Sequence, residues 1–186
     1  MPGTAIGTIN GVDTDALAEA IRQIKSDPTQ GQTSWEASTR WTGGLQSETS
    51  VTGWTLAGER KPHSFTLRID EPRELCGKDE HANPQEYLMA ALNACMMNTF
   101  VAVCSLQGVT LESLTVECEG DIDLRGFLGI DTRVPAGYES IRYRIRVKGD
   151  GTPEQYAKAH QAMIATSPNY YNLSRAVPLE PELIVE

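Results

Sequence analysis

The most reactive groups in this chain are its thiols, Cys76, Cys95, Cys104 and Cys118, and none belongs to a C-x-x-C pair. There is no G-x-S-x-G elbow and no Ser-His-Asp order, so serine-based acyl transfer is not indicated. Cys76-x4-His81 with Asp79 and Glu80 matches no common metal-ligand spacing, and His63 and His160 are remote from it in sequence. No glycine-rich phosphate loop follows a strand to open a helix. The expectation is therefore no metal and no cofactor, with a thiol as the candidate nucleophile.

Among the thiols, Cys95 lies within a stretch from Tyr87 to Leu111 that carries no charge. Cys104 follows it by nine residues, half a rotation around a helix, so the two cannot form an intrahelical disulfide. Cys118 shares the apolar face of an alternating segment and reads as packing. Cys76 falls in a polar loop. For Cys95 itself, residue type and surroundings favour packing, because burial in apolar surroundings suppresses thiolate formation. A chemical role needs polar company. Gln85 and Glu86 stand ten and nine residues earlier, too far along one helix for contact, so other elements would have to supply it.

Those elements are legible as patterns. Asp13 to Lys25 places Leu17, Ile21 and Ile24 at helical spacing behind an Asp or Thr cap, with Pro28 beyond the end. Three β-like runs follow, around Ser34–Trp41, Thr49–Leu56 and His63–Ile69, separated by Gly43-Gly44 and by a turn at Gly58 to Pro62. After a polar loop, Asn83-Pro84 offers an N-cap and a proline at the first helical position. The helix should run to about Gln107 and stop at Gly108. Leu88, Leu92, Cys95, Thr99, Ala102 and Leu106 form one face, and Met89, Met96, Phe100 and Val103 extend the apolar surface nearly all round, so the helix is expected to be covered on most sides.

Leu114, Val116, Cys118, Ile122 and Leu124 then alternate with acidic residues, and Ile141, Tyr143, Ile145 and Val147 alternate with Arg142, Arg144, Arg146 and Lys148. Antiparallel pairing would set an acidic stripe beside a basic one on the solvent face. Residues 125–139 become a long connection. Thr152 caps a last amphipathic helix to about Thr166, and Leu179–Val185 is expected to close the sheet as an edge strand. The whole is an α+β chain, with residues 1–33 as a helical extension whose first few residues look loose, and 34–186 as one domain.

Net charge is −9, from 16 basic and 25 acidic residues, which would repel a phosphate backbone and argues against nucleic acid. Asn93, Asn98, Gln107 and Gly108 interrupt the uncharged stretch and nothing basic flanks it, so a buried helix is expected there and no membrane span. Met1-Pro2-Gly3-Thr4 shows no basic region leading into an apolar run. Free thiols without a disulfide framework point to a reducing, cytoplasmic setting.

The stretch Asn83-Pro-Gln-Glu-Tyr-Leu-Met-Ala-Ala-Leu-Asn-Ala-Cys95 resembles the Asn-Pro-Glu…Ala-Ala…Cys signature of the OsmC/Ohr family of osmotically inducible and organic hydroperoxide resistance proteins. The similarity extends from about Trp35 to Val185 and takes in Asp70-Glu-Pro72, Gly108 to Val116 and the Asp123-Leu-Arg-Gly-Phe-Leu-Gly129 insert. It implies an intertwined homodimer of antiparallel strands around long central helices, with thiol peroxidase sites at the subunit interface. In peroxidatic members a cysteine matching Cys95 is oxidised to a sulfenic acid and resolved by a second cysteine.

Here that second position corresponds to Ser167 of Ser167-Pro168, which cannot form a disulfide. The family's catalytic glutamate corresponds to Gln85, with Glu86 one residue along. After Thr42-Gly43-Gly44, where an activating arginine is usual, stands Leu45, and Arg40 is the nearest substitute. The resemblance thus implies reduction of a small hydroperoxide through Cys95, with Cys76 or an external thiol resolving it. The alternative is a non-catalytic binder of a small apolar or acyl ligand in a dimer cleft lined by Met89, Met96, Met97, Phe100, Tyr170 and Tyr171.

Overall fold

The structure, a computed structural model, describes residues 7–185. The first residues, expected to be loose, lie outside the described ones. The chain forms two compact units that divide between Ala90 and Ala91.

The first unit opens with a small hairpin, β1 (Thr8–Ile9) and β2 (Val12–Asp13), which the hydrophobic pattern did not signal. Helix α1 (Thr14–Ser26) follows, and the Asp13 carboxylate caps it by accepting from the Ala16 N–H at 2.9 Å. No residue of α1 is buried, and Ile21 and Ile24 remain open to solvent. Next come β3 (Thr33–Trp35), β4 (Ser38–Gly43), β5 (Gln46–Leu56) and β6 (Glu59–Ile69). The expected first run is thus two strands, interrupted at Glu36-Ala37. β5 is central: β6 pairs along one edge, and β3 and β4 lie in succession along the other, all antiparallel.

Register sorts this sheet into two faces. Arg40, Glu48 and Arg68 stand side by side, with Arg40 bonded to Glu48 at 2.8 Å. Trp41, Val51, Phe65 and Leu67 point the other way, and Trp41 is 75% and Phe65 61% exposed. Gly53 sits at a bulge with φ +149, where a Cβ would come within 2.6 Å of the Lys61 carbonyl.

Beyond β6, Asp70 is fully buried and organises the loop. Its carboxylate accepts from the backbone N–H groups of Glu71 (2.8 Å), Glu80 (3.1 Å) and Lys78 (3.3 Å), and from Gln46 Nε2 at 3.2 Å. Burial works to raise its pKa, yet these donors together hold it below the usual carboxylate value. The opposite holds for Glu71, raised by burial and then by the charges of Asp70 and Glu86. Cys76 stands exposed on this loop in a left-handed conformation, φ +67.

Helix α2 (Pro84–Leu106) begins in the first unit and continues through the second. Gly108, at φ +74, follows its end, and the Val109 N–H turns back to the Cys104 carbonyl at 2.9 Å. In the second unit β7 (Leu111–Gly120) pairs antiparallel with β8 (Ile141–Gly149). Between them α3 (Leu124–Phe127) is capped by Asp123, which accepts from the Arg125 N–H at 2.9 Å. Side-chain and backbone bonds from Arg125 bring the Asp123 pKa down to about 2. This cap ends the alternating pattern early, so Ile122 and Leu124 are not in the strand as expected. Helices α4 (Pro153–Thr166) and α5 (Pro168–Leu173) complete the unit.

Charge pairing across β7 and β8 is as the alternation implied. Glu119 meets Arg142 at 2.9 Å and Glu117 meets Arg146 at 3.4 Å, with a further pair between Lys148 and Glu112. On the other face, Val116 and the half-buried Ile141, Tyr143 and Ile145 pack on Leu92, Met96 and Met163, while Phe100, Cys104, Val109 and Ala159 form an adjoining cluster.

Two further expectations differ from the structure. Helix α2 is not covered on most sides: its buried stripe runs through Leu92, Met96, Phe100 and Cys104, while Ala90, Ala91, Ala94 and Asn98 are exposed and Leu106 is 44% exposed. A helix that is apolar nearly all round carries no moment to choose its inner face. Residues 179–185 form no strand: Leu179, Leu183, Ile184 and Val185 are exposed. Pro181 removes an N–H donor within the segment and Pro178 another just before it, and no described strand pairs with it.

Candidate active site

Cys95 lies beside the buried stripe of α2, and its residue is half-buried. One turn on either side, Ala91 and Thr99 complete its local ridge, and the Thr99 hydroxyl turns inward to the Cys95 carbonyl at 3.1 Å. The polar company that the sequence lacked near Cys95 comes from the junction of α4 and α5. There Ser167, fully buried, donates its hydroxyl to the Cys95 sulfur at 3.2 Å.

The chain around Ser167 explains how that hydroxyl is held. Its N–H closes α4 on the Met163 carbonyl at 2.9 Å, and Pro168 begins α5 without needing a hydrogen bond. As the N-cap of α5, its Oγ also accepts from the Tyr170 N–H at 3.5 Å. Asn169 then donates its side-chain amide to the Ala91 carbonyl at 2.9 Å. Two side chains two residues apart therefore grip two consecutive turns of α2. Asn169 carried no sequence signal, since a side chain bonded to a distant carbonyl leaves no periodic trace.

The other thiols are accounted for separately. Cys104 is fully buried and its pKa is pushed up by burial. Cys118, raised for the same reason, donates to Asn93 Oδ1 at 2.6 Å. Cys95 and Ser167 thus form a thiol–hydroxyl pair apart from both.

The remaining candidates lie elsewhere. Glu86 closes a reciprocal cap at the start of α2: it accepts from the Asn83 N–H at 2.8 Å, and its own N–H donates to Asn83 Oδ1 at 2.9 Å. Gln85 is half-buried next to it. The Arg40 guanidinium is on the charged face of the first unit's sheet, with Glu48. Of the proposed pocket residues, Met96 and Phe100 are core, Met89 is half-buried, and Tyr171 is exposed beneath the Arg175 guanidinium at 4.4 Å. Tyr170 alone of these borders a cavity of about 500 Å³, whose walls include Tyr138, which carried no sequence signal, and Tyr143, which the strand alternation marked only as an inward-facing position.

A thiol carried by a long central helix, backed by a β-hairpin and met by a hydroxyl from a C-terminal helix pair, defines a small α+β thiol protein. The chain belongs to the OsmC-like protein family, whose family model matches residues 77–182, more than half of its length. Among curated proteins it is similar to the uncharacterized protein YmaD of Bacillus subtilis (strain 168), 28% identical over 120 residues, covering 63% of this chain and 75% of that one. Solved structures agree on the fold. An OsmC-like protein from Mycoplasma pneumoniae superposes with TM-score 0.56 at 12% identity, over 75% of this chain and 86% of that one. An OsmC-like protein of unknown function from Vibrio cholerae gives 0.54 at 15% identity, over 74% and 91%. An organic hydroperoxide resistance protein OsmC from Legionella pneumophila gives 0.50 at 18% identity, over 75% and 88%.

Proposed function

We propose that this protein reduces hydroperoxides through Cys95 by a one-cysteine cycle. The observation that carries this reading is the buried Ser167 hydroxyl aimed at the sulfur of the half-buried residue Cys95. That hydrogen bond holds the orientation of the sulfur. The Cys95 thiolate attacks the terminal oxygen of ROOH, the O–O bond breaks, and the alkoxide takes a proton to leave as ROH, with Cys95 as the sulfenic acid. Ser167 can then donate to the sulfenate oxygen in place of the sulfur.

Resolution falls to an external thiol. Ser167 cannot form a disulfide, Cys104 is enclosed in the core, and the Cys118 thiol is engaged by Asn93. One thiol displaces water from the sulfenic acid to give a mixed disulfide, and a second thiol releases Cys95 as the free thiol with the reductant oxidised.

The working unit is a homodimer in this reading, in a cytoplasmic setting that keeps the thiols reduced. Its support is the apolar sheet face bearing Trp41, Phe65 and Leu67, together with the exposed uncharged positions Ala90, Ala91, Ala94 and Asn98 of α2. Arg40, Gln85, Glu86 and Cys76 would then be candidates to support Cys95 from a second copy. Consumption of cumene hydroperoxide with dithiothreitol is the direct test: wild type should turn over and Cys95→Ser should not, and equal rates would sink the proposal. Light scattering of the purified protein should return twice the chain mass.

A further inference from the structure

The cavity walled by Tyr138, Tyr143 and Tyr170 has a chemistry that the thiol does not explain. Its volume, about 500 Å³, is that of a small-molecule site. Three phenol rings and apolar side chains such as Leu92 and Ile141 line it, and among the described residues Glu139 is its one charged group. No Lys, Arg or His is part of the lining among the described residues.

The walls are held before any ligand arrives. Tyr143 and Tyr170 meet edge to face, with ring planes at 89° and centroids 6.1 Å apart, so they form two perpendicular sides. The Tyr143 hydroxyl is fixed by His160 Nε2 at 2.9 Å, and His160 is not among the lining residues. The Tyr170 backbone is held by its N–H to the Ser167 hydroxyl at 3.5 Å. Tyr138 lies over Gly120, where a Cβ would approach its Cδ1 to 2.7 Å, so the missing side chain of Gly120 is what lets this ring reach the cavity.

We propose that this cavity binds a small organic ammonium cation. The face of an aromatic ring carries negative quadrupole potential, and perpendicular rings offer that potential from several directions. Glu139, exposed at the same opening, adds a full negative charge and disfavours carboxylate or phosphate ligands. A neutral apolar ligand would gain burial only. The neighbouring Tyr171 shows the same preference satisfied internally, since the Arg175 guanidinium sits 4.4 Å from its ring centre. This site stands without the redox reading, and a chain lacking the Cys95 thiol should keep it.

Calorimetric titration of the full chain with choline, and with its neutral isostere 3,3-dimethyl-1-butanol, tests the charge requirement. Choline should bind roughly tenfold or more tightly than the isostere. Tyr138→Leu and Glu139→Gln should each weaken choline several-fold, to about one-third of the wild-type affinity or less, with the circular dichroism spectrum unchanged. Cys95→Ser should bind choline as wild type does. Equal affinity for choline and the isostere overturns the proposal, as does failure of the wild type to bind choline at about 10 mM, the weak limit for such contacts. Because Glu139 is exposed, Glu139→Gln will fold, and wild-type affinity in that variant alone would also overturn it.

Discussion

The Ser167 hydroxyl donates a hydrogen bond of 3.2 Å to the sulfur of Cys95, 72 residues earlier in the chain. Both belong to elements that the same core organises: α2 through Leu92 and Met96, and α4 through Met163. A sulfur in a mainly apolar setting thereby acquires one directed polar partner, supplied by a helix cap and not by a charged residue.

That proximity makes the site convertible. Ser167→Cys would place a second sulfur where the hydroxyl now stands, turning a one-cysteine site into a two-cysteine site. One equivalent of peroxide should then consume two titratable thiols and leave a disulfide between Cys95 and the introduced thiol, visible by mass spectrometry after non-reducing digestion. In the wild type a sulfenic acid that reacts with dimedone should accumulate instead.

Removing the hydroxyl separates its two duties. Ser167→Ala deletes an N-cap and should cost about 1 kcal/mol of stability in thermal or urea unfolding. It should also slow the reaction of Cys95 with cumene hydroperoxide while the thiol remains titratable. Ser167→Thr, which keeps the hydroxyl, should recover the rate in part. An unchanged rate in the alanine variant would show that the contact is structural only.

A stability control lies at the other end of α4. Thr152 and Gln155 form a reciprocal capping box, with the Thr152 N–H donating to Gln155 Oε1 at 2.9 Å and the Gln155 N–H to Thr152 Oγ1 at 3.3 Å. Thr152→Ala should lower stability by about 1 kcal/mol. It should leave the peroxide rate per folded molecule unchanged, because no cap atom touches Cys95 or Ser167.

Acid should loosen the loop that carries Cys76. The Asp70 carboxylate has a depressed pKa in the folded chain, so its contribution is complete above the ordinary carboxylate value of about 4 and is lost as pH falls through the folded value. Hydrogen exchange at the Lys78 and Glu80 amides should therefore accelerate, beyond the intrinsic change, only on the acid side of about pH 4. Asp70→Asn should abolish that pH dependence and expose both amides at neutral pH.

Glu71 should behave with the opposite sign. Its folded pKa is raised, so the folded chain holds the proton more tightly and stability falls as pH rises through the raised value. Glu71→Gln should protect the same loop amides better than wild type at pH 7, with the advantage fading toward about pH 4.

How much of this was readable in advance follows from the range of the interactions. Asn83-Pro84, Thr152-Pro153 and Gly108 mark helix ends because caps act within a few residues, and the acidic and basic alternation of residues 112–121 and 142–148 set the β7–β8 register because cross-strand pairing repeats every second residue. Even the long connection between those strands was visible, though its Asp123 cap was not. The signature ending at Cys95 also sufficed to suggest the family.

Other features depended on neighbours distant in sequence. Which stripe of α2 is buried was undetermined, because a helix with apolar side chains on every face can turn any of them inward. The segment 179–185 reads as a strand from its side chains, but a strand needs a partner to receive its hydrogen bonds, and none is present among the described residues. The sequence by itself determined that a thiol sits on a long helix that carries no charge from Tyr87 onward. Only the tertiary structure decided that its partner is the Ser167 hydroxyl, because that contact arises where two helices meet a third and no local pattern encodes such a meeting.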